Sequence, residues 1–302
     1  MRRKDDILWK GILEDVFDDF LRFLNPNAET LLDLDRGFEF LDKELEQVFP
    51  PEGDEYSPKV IDKLVKVFTR IGKEEWVMVH VEVQEQYRQD FAQRMFTYFY
   101  RILDKYQKPI TAYAIFTDSI SKTRPNSFEI EFMGTSLSYK FNTYKIASQN
   151  NDELQASSNP FAMVVLTAKA ALAGRDVKDS HQRDAFLLTV KLELAKQLLA
   201  KQIGKDKIRV LMNFLRYYVR FENPDINVKF EQEVEILTER STTMGIEELL
   251  LERATKQGEN KGVKKGEHRK ALEIARKMKN EDIPATQIAS FTSLSIEEIE
   301  KL

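Results

Sequence analysis

Two carboxylates and an amide stand where an apolar strand is expected. The stretch Trp76-Val77-Met78-Val79-His80-Val81-Glu82-Val83-Gln84 has valine at every second position. Such alternation gives a β-strand with two unlike faces. His80, Glu82 and Gln84 then share the face opposite the valines. A carboxylate on such a strand is costly unless it is paired or binds a cation. A second one, Asp62, lies in Val60-Ile61-Asp62-Lys63-Leu64-Val65-Lys66-Val67-Phe68, which is also strand-like. The polar residues 69–75 between the two runs read as a hairpin loop centred on Gly72. With Gly72 as the centre of symmetry, paired positions sum to 144 and Asp62 faces Glu82. Directly opposed residues hold their Cβ atoms about 4.5–5.5 Å apart. Two carboxylates there repel unless a cation lies between them or one is protonated. Two carboxylates and a main-chain carbonyl suit an oxygen-loving divalent ion, Mg²⁺ or Mn²⁺. On a solvent-facing hairpin the same pair is ordinary surface charge, and a single bulge would move Asp62 to the other face.

The elements that must position these residues follow from periodicity. Asp5 to Leu24 predicts one amphipathic helix, with Leu8, Ile12, Val16, Phe20 and Leu24 in a stripe and Glu14, Asp15, Asp18 and Asp19 off it. Residues 50–54 are a loop. A helix is predicted from Arg88 to Tyr106, with the aromatic run Phe96–Tyr100, like Tyr87, read as core. The buried strand Ile110–Phe116 follows it. Strand, helix and strand in that order suggest a crossover unit. Two more strands are predicted at Ser127–Met133 and Leu137–Ile146. From Asn159-Pro160-Phe161 onward, apolar residues recur at helical spacing through 161–173, 186–199, 208–221 and 228–237. The fold class expected is α/β in the broad sense (α+β): a mixed sheet flanked by helices in residues 1–155. A helical region, 156–243, a charged basic connector, 244–280, and a small helical element, 281–302, come after it.

Composition narrows the function classes. The 302 residues include no cysteine, which excludes disulfides and thiol catalysis and fits a reducing cytosol. The start Met1-Arg2-Arg3-Lys4-Asp5-Asp6 leads into no apolar core of signal-peptide length. No run of eighteen apolar residues occurs, so no membrane span and a cytoplasmic location are expected. Charge is uneven: residues 1–60 hold eight Lys/Arg against sixteen Asp/Glu, whereas residues 252–279 hold ten Lys/Arg against four Glu. That basic stretch reads as a polyanion contact or as a solvated helix face. Ser295-x-x-Glu298 fits a capping box opening the last of two short helices. That helix pair reads as a small DNA-binding module or as a homo-oligomer contact.

As an ordered set, Leu41-Asp42-Lys43-Glu44, Ile61-Asp62-Lys63-Leu64-Val65-Lys66, His80-Val81-Glu82-Val83-Gln84 and Phe91-Ala92-Gln93-Arg94-Met95-Phe96-x-Tyr98 resemble the Rpn family. These are bacterial proteins described as recombination-promoting nucleases or transposases, within the PD-(D/E)xK nuclease superfamily. The likeness extends to Asn159-Pro160-Phe161 and to Thr292–Ile299. It implies a restriction-endonuclease-like core and a Mg²⁺-dependent DNA endonuclease tied to recombination or mobile DNA. It further implies Mg²⁺ on Asp62, Glu82 and the Val83 carbonyl, with Gln84 at the superfamily's lysine position and Glu14 reaching the metal shell from the preceding helix. The departure is Gln84, which carries no charge to set against the developing negative charge. That favours a rival reading, a catalytically degenerate nuclease fold that binds DNA or a protein partner. Phosphate chemistry alone does not separate DNA from RNA. His80 reads as a packed residue or a site neighbour. Arg94 reads as a phosphate contact or as an ion pair with Asp90.

Overall fold

The computed structural model describes residues 2–41, 61–82, 90–108, 110–118, 124–238 and 278, with the backbone alone at 2–4, 61, 62 and 78–82. Asp42, Glu44, Val83, Gln84, Tyr87, the basic connector apart from residue 278, and the expected C-terminal helices lie outside the described residues. Met1–Ser241 forms one compact unit. It is a mixed α/β fold, as expected, with a five-stranded sheet at its centre.

The strands are β1 (Glu39–Phe40), β2 (Ile61–Phe68), β3 (Glu74–Glu82), β4 (Ile110–Phe116) and β7 (Asn142–Lys145), hydrogen-bonded in the order β1-β2-β3-β4-β7. The pairs β1–β2 and β2–β3 are antiparallel, and β3–β4 and β4–β7 are parallel. Strands β5 (Ser127–Phe132) and β6 (Thr135–Lys140) form a separate hairpin. The crossover between β3 and β4 carries α4 (Phe91–Tyr106). Gln107 ends it in a left-handed conformation, φ 51°, donating its N–H to Leu103 O.

The sheet's two faces are covered differently. Leu64, Trp76, Ala112, Ala114 and Phe116 pack with Phe91, Met95 and Ile102 of α4 and with Tyr139 and Phe141. Phe91 lies 5.2 Å from Phe116, and Trp76 lies 5.0 Å from Tyr106. Phe96 and Phe99 meet Tyr139, so these members of the aromatic run are core, while Tyr100 is exposed. The other face meets α1 (Arg2–Asp15), α2 (Phe17–Leu24) and α6 (Pro160–Asp176). Phe20 joins Tyr113 at 5.6 Å and Phe161 at 5.2 Å across it.

Two expected elements are each two in the structure. The helix predicted from Asp5 to Leu24 breaks at Val16, whose backbone leaves helical values at φ −131°, ψ 34°. The break turns α2 so that Phe17 meets Phe38 and Phe40 while Phe20 meets the sheet. The strand predicted over Leu137–Ile146 divides at buried Phe141, whose N–H bonds to Asn126 O. The part before it pairs with β5 and the part after it joins β4. Strand periodicity reports extended backbone but does not name the partner strand.

Between α2 and β1 lie the short α3 (Ala28–Leu31) and a 3₁₀ turn, Leu34–Arg36; α5 (Asn151–Ala156) follows β7. The helical layer adds α7 (Ser180–Ala200), α8 (Lys205–Tyr218) and α9 (Pro224–Thr238). Asn159 starts α6: its Oδ1 accepts the Phe161 N–H at 2.8 Å, and its Nδ2 donates to Asp19 O at 3.0 Å. One side chain thus caps a helix and ties it to α2, with Pro160 preset for the first turn. Asp184 of α7 accepts the N–H groups of Glu222 and Asn223, at 3.0 and 2.8 Å, just before α9. Lys207 of α8 donates to Asp18 at 3.1 Å and to Asp19 at 2.5 Å, joining the helical layer to α2.

Helix α6 packs against α7 at Gly174, where a Cβ would stand 2.6 Å from Leu187 Cδ2. In an exposed helix Gly→Ala stabilises by about 1 kcal/mol. Here overpacking of about 1–3 kcal/mol opposes that gain, so Gly174→Ala is expected to lower stability by about 1 kcal/mol. Denaturant titration of Gly174→Ala, Leu187→Val and the double variant checks it. A melting temperature raised by alanine alone would dismiss the close contact.

Candidate functional site

The hairpin that carries Asp62 and Glu82 closes differently from its expected symmetry. Phe68 faces Glu74, Ile61 faces Val81, and Asp62 faces His80. Partners therefore sum to 142, and the centre is Ile71 rather than Gly72. Thr69 N–H donates to Lys73 O and Gly72 N–H to Thr69 O, both at 2.8 Å. Gly72 adopts φ 80°. A glycine in a hairpin loop serves the left-handed position, which falls after the centre here.

The shift by two keeps the face. By alternation Asp62, His80 and Glu82 occupy one side of β2 and β3, with Glu82 diagonal to Asp62. Diagonal Cβ atoms are about 7–8 Å apart. That span suits an aspartate and the longer glutamate on one small cation, with oxygen contacts of about 2.0–2.1 Å for Mg²⁺. This is the face that α4 covers, at the carboxyl ends of β3, β4 and β7. In open α/β sheets ligands collect at the carboxyl ends of parallel strands.

Glu14 goes elsewhere. Its carboxylate is paired with the ammonium of Lys63, which is buried beside the Phe40 ring. Lys63 adjoins Asp62 in sequence, so strand alternation puts it on the opposite face of β2. The structure therefore brings Asp62, His80 and Glu82 to one face and leaves Glu14 on the other, as counter-charge to Lys63. Arg94 donates to Tyr98 OH at 3.1 Å.

Three further residues collect at this end of the sheet without having stood out in the sequence. In the parallel register Glu82 faces Phe116, and Phe116 faces Lys145. Lys145, half-buried, ends β7 on the α4 side. Asp118 lies two residues past β4, and its buried carboxylate is paired with the equally buried Arg124. The Arg124 guanidinium sits 5.6 Å from the Phe116 ring centre. Asp118 Oδ1 is buried with no hydrogen-bond partner among the described residues. Burial, and then the positive charge of Arg124, lower the pKa of Lys145 from its usual value. The one signal in sequence was Asp118 itself, a carboxylate two residues past the apolar run of β4. Among the described residues no three His, Asp or Glu side chains converge as a metal cluster, and no helix is long and apolar enough to cross a membrane.

Compared with protein-family models, with curated proteins and with solved structures, the chain has no significant match.

Proposed function

We propose that this chain is a divalent-metal-dependent endonuclease that hydrolyses phosphodiester bonds in DNA, in the context of recombination or mobile DNA. The observation that carries this reading is the gathering of Asp62, His80, Glu82, Asp118, Arg124 and Lys145 at one end and on one face of the sheet. The carboxylates offer oxygen donors only, the set that Mg²⁺ and Mn²⁺ accept. The buried Asp118 Oδ1, without a hydrogen-bond partner among the described residues, is the kind of oxygen that such an ion completes. Asp62, Glu82 and the Val83 carbonyl are the residues that would hold it. The bound ion supplies Lewis acidity toward the phosphate and a lowered pKa for attacking water.

The chain's own residues do the rest. Gln84 orients the water through its amide, and the face built on α4 and β4 limits solvent. Glu14 serves α1 and β2 through Lys63 and has no part in the chemistry. A second reading, a nuclease fold that binds nucleic acid or a protein without cutting, is favoured by the uncharged Gln84.

Calorimetric titration with Mn²⁺ tests the metal pair directly. Asp62→Ala and Glu82→Ala are each expected to weaken binding by about 10–100-fold. Equal affinity in wild type and Asp62→Ala removes the site.

A further inference from the structure

We propose that the outer edge of the β5–β6 hairpin is a docking site for an extended segment of a partner protein. The segment adds as a third strand and alternates apolar side chains with lysine or arginine.

The hairpin is only half covered. Its residues alternate between two faces: Phe128, Ile130, Phe132, Leu137 and Tyr139 on one, Glu129, Glu131, Ser136 and Ser138 on the other. The root packs on α4, where Phe141 meets Phe91 at 6.0 Å and Tyr139 meets Phe96 and Phe99 at 5.7 and 4.8 Å. Phe128 stacks on Phe96 at 5.4 Å. The hairpin therefore climbs along α4 from its first turn, away from the carboxyl ends of the parallel strands. Beyond Phe128 the cover ends: Ile130, Phe132 and Met133 are 50%, 71% and 88% exposed. Contiguous apolar surface of this kind marks an interaction site, whereas scattered single residues do not.

The turn adds a second cost. Phe132 pairs with Thr135, so Met133 and Gly134 alone make the turn, at φ 48° and 83°. Two left-handed residues in a row suit Asn-Gly best. Methionine there bears a backbone cost as well as an exposed apolar side chain.

Edge and charge together select the occupant. Asn126 O accepts the Phe141 N–H at 2.9 Å. By alternation Asn126, Phe128, Ile130 and Phe132 turn their main-chain groups toward β6, and Ser127, Glu129 and Glu131 turn theirs outward. Among the described residues β5 pairs with β6 alone. No bulge, lysine or proline blunts the edge over Ser127–Phe132. Open main-chain groups of this kind take up an extended segment as an added strand. Glu129 and Glu131 stand on the outward residues, share one face, and have no ion-pair partner among the described residues. Lysine or arginine opposite them is favourable, and like charge is not. A second copy fits poorly: symmetric pairing about Glu129, Ile130 or Glu131 sets glutamate against glutamate. Pairing centred between residues sets each glutamate against an apolar side chain. The same carboxylates oppose a polynucleotide backbone.

The test is fluorescence-anisotropy titration of two labelled synthetic peptides with the full chain. Each is about six residues long, the usual strand length; one alternates valine with lysine, the other valine with glutamate. Wild type is expected to bind the lysine peptide at least about ten-fold more tightly than the glutamate peptide. Glu129→Lys/Glu131→Lys is expected to reverse that preference, which disturbed folding cannot do. Phe132→Thr/Met133→Asn keeps strand and turn preferences and is expected to weaken the lysine peptide at least about three-fold. Equal affinity of wild type for the two peptides overturns the site. A preference left unchanged by Glu129→Lys/Glu131→Lys also overturns it, as does unchanged affinity in Phe132→Thr/Met133→Asn. Sedimentation velocity and titrations with duplex DNA and with phosphatidylcholine vesicles cover the other occupants. A dimer, a DNA complex or a vesicle complex that Phe132→Thr/Met133→Asn abolishes assigns the face elsewhere and overturns the proposal.

Discussion

Plasmid nicking by Asp62→Ala and by Glu82→Ala is expected to fall at least about 10³-fold, or about 4 kcal/mol of transition-state stabilisation at 1.36 kcal/mol per decade. Removing one carboxylate ligand of a hard cation loses affinity and also the fixed geometry that aims it at the phosphate. Gln84→Ala should lose less, about 10–10²-fold, because a neutral amide contributes orientation without charge. Glu14→Gln should keep nicking within about three-fold, since an amide oxygen still accepts from Lys63 on the other face of β2. That ranking separates the two faces. Nicking in Asp62→Ala equal to wild type would remove the metal pair from the chemistry. Loss in Glu14→Gln as deep as in Asp62→Ala would mean that both faces serve one site.

Stability of the folded chain is expected to rise steeply with pH above neutrality because of Lys191. Its side chain is 1% exposed, and its Nζ donates to Val219 O at 2.8 Å and to Arg216 O at 2.9 Å. Those carbonyls belong to the last turn of α8 and the residue that ends it, so the lysine closes a helix end whose acceptors lack intrahelical partners. The rings of Phe230 and Phe221 lie 4.3 and 4.6 Å from the nitrogen. Burial depresses the pKa from 10.5 to about 7, against the pull of Glu231 and with the push of Arg216. A neutral amine still has two N–H donors, enough for both carbonyls. Between pH 7 and 10.5 the unfolded chain holds a proton at this lysine that the folded chain lacks. Stability therefore increases with pH through that window, and the increment is lost as pH falls toward 7. At about 1.4 kcal/mol per pH unit, the wild-type advantage over Lys191→Met should grow by about 3 kcal/mol from pH 7 to 9.5. Denaturant titrations of both proteins across that range read the difference. A constant offset would show that the lysine stays charged when folded.

Much of the sheet was legible because alternation is a local property. The valine-rich run of β3 and the buried run of β4 declare themselves as strands within a few residues. The register of β2 on β3 was not legible to better than two positions. It depends on which loop residue takes the left-handed conformation, and Gly72 does so one step past the centre. The split at Phe141 was hidden for a related reason: both halves are extended, and only their partners differ. Asp62 and Glu82 stood out since carboxylates are rare on such strands. Asp118 and Arg124 lie six residues apart between β4 and β5, and Lys145 is brought to the same end of the sheet by the parallel pairing of β7 with β4; nothing in the sequence announces that pairing. Glu14 sits on an acidic helix face where any of four carboxylates fits the pattern. Its partner Lys63 became visible only when the strand faces were assigned.

The exchange of partners at Phe141 has a kinetic side. The β2–β3 and β5–β6 hairpins close through short loops, so each can form early and by itself. Strand β7 must instead find β4 across the whole β5–β6 hairpin, and pairing over such a separation is slow. The parallel pairing of β4 on β3 across α4 bridges 34 residues, Trp76 to Ile110, and that of β7 on β4 bridges 29, Tyr113 to Asn142. Both hairpins are therefore expected to close before the parallel half of the sheet, and the end that gathers Glu82, Phe116 and Lys145 is complete only when both long-range pairings have formed.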